Sequence, residues 1–81
     1  MKVRDVLKRI QEFLVIYEEG APTSWGAYVP DLPGCFAVGK TRKEAERLIS
    51  EAIKEHIEVL RTEGQAIPEA KQSAGQVAVA V

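Results

Sequence analysis

The chain has 81 residues, a net charge of −1, 46% hydrophobic and 28% charged residues, the balance of one small globular domain with a thin core. One cysteine, Cys35, excludes an intrachain disulfide and a cysteine-rich zinc site. No apolar run approaches the roughly 18–20 residues of a membrane span, and the start Met1-Lys2-Val3-Arg4-Asp5 lacks the apolar core of a signal peptide, so a cytoplasmic, non-membrane protein is expected.

Residues 2–11 place Val3, Val6, Leu7 and Ile10 at i, i+3, i+4 and i+7, which predicts a short amphipathic N-terminal helix. Phe13 to Tyr17 is aromatic and β-branched and predicts a strand covered on both faces. Gly20 and Pro22 mark a loop over 18–24, and Trp25 to Val29 predicts a second strand with Trp25, Ala27 and Val29 on one face. Pro30 stops that strand. Leu32-Pro33-Gly34-Cys35 fits a type II turn, with Pro33 pre-setting one central position and Gly34 supplying the positive φ of the other. A third strand follows over 35–38, which makes residues 12–39 a three-stranded antiparallel meander.

Thr41 and Glu44 have the spacing of a capping box, and Ala45, Leu48, Ile49, Ala52, Ile53, Ile57 and Leu60 form one apolar stripe. They predict a long helix over 41–63, roughly 33 Å in length, ended by Gly64. A loop-like stretch follows, and the Val/Ala alternation of Gln76 to Val81 predicts a last strand, parallel to the first by the right-handed crossover rule, with a frayed terminal tail as the alternative. The expected fold class is α+β, a single domain over 1–81, with one face of a four-stranded sheet covered by the long helix.

Charge is distributed unevenly. Residues 1–11 carry Lys2, Arg4, Lys8 and Arg9 against Asp5, whereas residues 12–39 hold Glu12, Glu18, Glu19 and Asp31 with no Lys or Arg. Such a stretch repels phosphate and suits a basic protein partner. Lys40, Arg42, Lys43 and Arg47 form a second basic cluster, but Glu44 and Glu46 interleave with it and no helix-turn-helix accompanies it, so direct DNA binding is not expected.

No catalytic constellation is visible. The sole histidine, His56, lies at the margin of the helix stripe, and nothing beside Cys35 lowers a thiol pKa. Metal-ligand spacing and a phosphate-binding glycine loop are missing from the sequence, so no metal and no cofactor is expected. The order of elements is that of part of a ribonuclease H fold, yet Glu12, Glu18 and Glu19 sit at strand ends and Asp31 lies between Pro30 and Pro33, unlike the carboxylates of a two-metal nuclease.

Tyr28-Val29-Pro30-Asp31-Leu32-Pro33-Gly34-Cys35-Phe36, followed by Gly39, Thr41, Glu44 and Ala45 and later by Glu63-Gly64-Gln65-Ala66-Ile67-Pro68-Glu69, resembles the signature of prokaryotic HicB-type antitoxins over residues 12–70. The resemblance implies a partial ribonuclease H-like fold without catalysis, self-association as a dimer or tetramer, and neutralisation of HicA, a small basic mRNA-cleaving toxin. Typical HicB antitoxins also carry a C-terminal DNA-binding domain, whereas here only Val77 to Val81 follow the linker. The expected partner contacts are Glu18, Glu19, Trp25, Tyr28, Asp31 and Leu32, with Pro30, Pro33 and Gly34 shaping the loop. A stand-alone HicB-like homo-oligomer and a nucleic-acid-binding regulator are the alternatives.

Overall fold

A computed structural model describes residues 10–20 and 22–81. Three strands, β1 (Ile16–Gly20), β2 (Ser24–Tyr28) and β3 (Phe36–Gly39), are followed by one helix, α1 (Arg42–Thr62). The strands form an antiparallel sheet in the order β1-β2-β3. Ile16 pairs with Tyr28 and Gly20 with Ser24 in the first ladder, and Trp25 pairs with Gly39 and Tyr28 with Phe36 in the second. The expected meander is therefore present, and the fold is α+β.

The strand limits differ from the sequence reading in an instructive way. β1 starts three residues later than expected because Pro30 has no N–H to continue the ladder past Tyr28, and the Val29 carbonyl turns back to accept from Leu32 N at 3.0 Å. At its other end β1 runs on through Glu18, Glu19 and Gly20, which pair with Gly26, Trp25 and Ser24. The Gly20/Pro22 signal therefore marks the tip of a hairpin and not a loop of seven residues.

The cap residues define α1. Thr41 Oγ1 accepts from Glu44 N at 3.1 Å, while Glu44 Oε1 reaches back to Lys40 N at 2.9 Å, one residue earlier than in the usual reciprocal box. At the other end Gly64 takes φ 69°, and Gln65 N donates to Leu60 O at 2.8 Å with Gly64 N to Arg61 O at 3.1 Å. This pair of bonds is a Schellman motif, satisfied by a glycine in the left-handed region.

The core comprises Ala27, Val29, Leu32, Cys35, Ala45 and Ile49, with Phe13, Val15, Tyr17, Trp25, Ala37, Ala52, Ile53 and Ile57 packed around it. Small residues let the helix lie close to the sheet. A Cβ added at Gly39 would fall 2.7 Å from Ala45 N, so the start of α1 sits directly on β3.

Two expectations are not met as stated. Residues 2–9 of the N-terminal helix lie outside the described residues, and Ile10 and Gln11 carry no regular structure. Residues 76–81 form no strand, and the sheet of the described residues has three strands and not four, since the Val/Ala alternation by itself supplies no ladder partner. No helix of the described residues is long and apolar enough to cross a membrane.

Candidate protein-binding surface

The register separates the sheet into two faces. Register partners share a face, so Tyr17, Trp25, Ala27, Ala37 and Gly39 face α1, while Ile16, Glu18, Tyr28, Phe36 and Val38 face away from it. No described element covers this outer face. Phe36 is 68% exposed, Val38 61% and Tyr28 39%. Contiguous exposed aromatic and aliphatic side chains on a small domain mark an interaction surface.

The residues singled out from sequence are distributed over this architecture and not gathered on one patch. Glu18 and Tyr28 stand on the outer face. Glu19 and Trp25 are register partners on the helix-facing side, with Trp25 half-buried against the core. Leu32 is fully buried and is corrected from contact to core residue, because the turn folds it under the loop. Asp31 is engaged within the chain: its Oδ2 accepts from Lys71 N at 3.0 Å and Gln72 N at 3.1 Å. Asp31 thus pins the segment after α1 to the β2–β3 loop.

The loop-shaping residues act through the backbone. Cys35 N donates to Leu32 O at 3.0 Å and Gly34 has φ 84°, the geometry of a type II turn with Pro33 and Gly34 at its centre. This turn fixes where Cys35 ends and Phe36 begins β3. Sequence reasoning missed Ile16, Phe36 and Val38. The signal available was the apolar run Cys35-Phe36-Ala37-Val38, in which both faces of a strand are apolar although one helix covers only one of them.

The basic residues of α1 are largely engaged with neighbours. Arg42 pairs with Glu46 at 3.4 Å and lies 4.6 Å from the centre of the Tyr17 ring, and Arg47 pairs with Glu51 at 3.3 Å. Burial pushes the Cys35 thiol above its ordinary value, which keeps it protonated and a poor nucleophile. His56 is half-buried and lines a shallow groove beside Cys35 and Phe36. Among the described residues no group of His, Cys, Asp and Glu is arranged to hold a metal ion.

A family profile described as "HicB_like antitoxin of bacterial toxin-antitoxin system" matches residues 13–79. Two curated relatives are similar. A UPF0150 protein of Thermoplasma acidophilum is 55% identical over 40 residues, 49% of this chain and 58% of the relative. A UPF0150 protein of Synechocystis is 38% identical over 61 residues, 75% of this chain and 77% of the relative. The match thus spans little more than half the length of the Thermoplasma relative. No solved structure matches.

Proposed function

The chain belongs to the HicB-like antitoxin family, and from that premise we propose that it neutralises a small basic HicA-like RNA-cleaving toxin by covering it with the outer face of its sheet. The observation that carries this reading is the outer sheet face, which no described element covers: Tyr28, Phe36 and Val38 are exposed on it, with Glu18 among them and Ile16 half-buried beside Tyr28. The apolar residues supply the area removed from water. Charge selects the partner: residues 12–39 contain four carboxylates and no Lys or Arg, so the meander attracts a protein whose own surface is built to hold RNA phosphates. Inhibition is steric, the toxin's RNA-binding face being occupied, and requires no catalytic group on this chain.

A protein partner is proposed over nucleic acid because residues 12–39 carry four carboxylates and no Lys or Arg, and Glu44 and Glu46 interleave with the basic start of α1. The experiment is an RNA-cleavage assay with the HicA-like protein from the same source. The chain is expected to stop cleavage near equimolar ratio, and Glu18→Lys with Phe36→Asp to restore cleavage while leaving the helical circular dichroism unchanged. Cleavage that continues in the presence of excess folded chain overturns the proposal.

A further inference from the structure

Helix α1 lies over β3 and β2 and barely reaches β1. Beside its C-terminal half is an open groove of about 820 Å³ whose apolar floor is Phe13, Ile53, Ile57 and Ile67. All four are only half-buried, although Phe13, Ile53 and Ile57 also pack against the core. The floor is therefore an extension of the core that keeps one side in water. Lys54 and Arg61 belong to the same lining and are exposed.

The chain enters the domain at this groove. Gln11 lines it and is fixed there, its side-chain Oε1 accepting from Ala70 N at 3.1 Å. Ile10, one residue earlier, is 86% exposed. Whatever residues 2–9 do, they start from the groove wall, and they lie outside the described residues. Their sequence supplies what the floor needs. Val3, Val6, Leu7 and Ile10 fall within one helical stripe about 100° wide, and Lys2, Arg4, Asp5, Lys8 and Arg9 all fall outside it. As a helix, residues 2–10 would be roughly 13 Å long, against roughly 12 Å from Ile53 to Arg61 along α1. A helix this short does not persist without tertiary contacts, and the contact it requires begins one residue away.

We infer that residues 2–10 form a cover helix laid in this groove, with Val3, Val6, Leu7 and Ile10 seated over Phe13, Ile53, Ile57 and Ile67. The occupant is the chain's own segment because the tether is immediate: a covalently attached partner acts at an effective concentration of about millimolar, which a separate molecule must match. Seating the stripe buries apolar surface on both sides and no charge, since the segment's charged residues lie outside the stripe and Lys54 and Arg61 stand exposed. The contact is independent of toxin binding, because the groove adjoins α1 whereas Tyr28, Phe36 and Val38 face away from that helix.

The test is nuclear magnetic resonance of the isotope-labelled full chain. Cross-peaks are expected between the methyl groups of Val6 or Leu7 and those of Ile53 or Ile57, unchanged on dilution. Amides of residues 7–10 are expected to exchange at least about tenfold more slowly than in an unstructured peptide. Leu7→Asp is expected to return them to the peptide rate while the Ala45 and Ile49 amides stay protected, and Lys8→Ala, outside the stripe, to leave the protection in place. Amides of residues 7–10 that exchange at the peptide rate in the native chain would overturn the inference, as would protection indifferent to Leu7→Asp. Cross-peaks seen only between labelled and unlabelled copies would also overturn it, and would assign the groove to a second chain.

Discussion

Asp31 and Lys71 are joined across 40 positions of sequence: the carboxylate Oδ2 of Asp31 accepts from the Lys71 backbone N–H at 3.0 Å, and from Gln72 N at 3.1 Å. One side chain in the β2–β3 loop thereby sets the point from which the C-terminal arm departs. A carboxylate is well suited to this, since one oxygen accepts two amides and the charge strengthens both bonds. Asp31→Ala is expected to release the segment while the sheet and α1 stay folded. At a net ~0.5–1.5 kcal/mol for such bonds, hydrogen exchange at the Lys71 and Gln72 amides should rise several-fold with no change at Ala45 or Ile49. Asp31→Asn keeps one oxygen acceptor and should give a smaller rise.

The closeness of α1 to β3 rests on the absence of one methyl group. An added Cβ at Gly39 would lie 2.7 Å from Ala45 N and 3.1 Å from Glu44 Cβ, and the nearest of these is backbone, which yields little. Gly39→Ala is expected to destabilise by about 1–3 kcal/mol, lowering Tm by roughly 4–8 °C per kcal/mol in a domain of this size. Gly26→Ala is the control: its Cβ would meet only Glu18 O, at 4.0 Å, and Tm should hold. Both scans are run at one protein concentration, because Tm depends on concentration wherever a folded chain associates.

Cys35 is 4% exposed, and burial raises its thiol pKa above the ordinary 9.0. Above pH 9.0 the unfolded chain loses this proton while the folded chain retains it, so the native state binds more protons and stability falls as pH rises. Well below pH 9.0 the thiol is neutral in both states and contributes no slope. Urea unfolding at pH 8 and pH 10 should show this loss for the native chain, and a smaller one for Cys35→Ala after subtraction of the shared background. Alkylation of the native thiol should track unfolding and not the free-thiol rate.

The sequence announces some of this structure and hides the rest for identifiable reasons. Helix α1 was legible because its signals are local: Thr41, Glu44 and Gly64 mark its ends and a 3.6-residue stripe marks its buried side. The Pro33–Gly34 turn was legible for the same reason. The extent of β1 was not, because Glu18–Gly20 read as turn residues until pairing with Ser24–Gly26 draws them into a ladder. Leu32 reads as a surface hydrophobe from its place between Asp31 and the Pro33–Gly34 turn, and only the folded turn shows it fully buried in the core. The outer face was hidden because Phe36 and Val38 read as generic strand hydrophobes. The Val/Ala alternation of residues 76–81 reads as a strand, but alternation supplies no ladder partner, and no strand is formed there.

The start of α1 offers a final prediction about how local chemistry supports the docking of helix on sheet. Thr41 holds the Glu44 N–H and Glu44 holds the Lys40 N–H, so two otherwise orphaned donors are satisfied within one turn of Ala45, the residue pressed against Gly39. Thr41→Ala is expected to cost about 0.5–2 kcal/mol, and Glu44→Ala less, since it frees one exposed amide and removes a carboxylate from the positive end of the helix, worth ~0.3–1 kcal/mol at low salt. The two act on one turn, so the double variant should lose less than the sum of the single losses. Chemical denaturation of the three variants measures this coupling. Strict additivity would show that the two caps act separately and that packing of Ala45 against Gly39 alone fixes the entry of the helix.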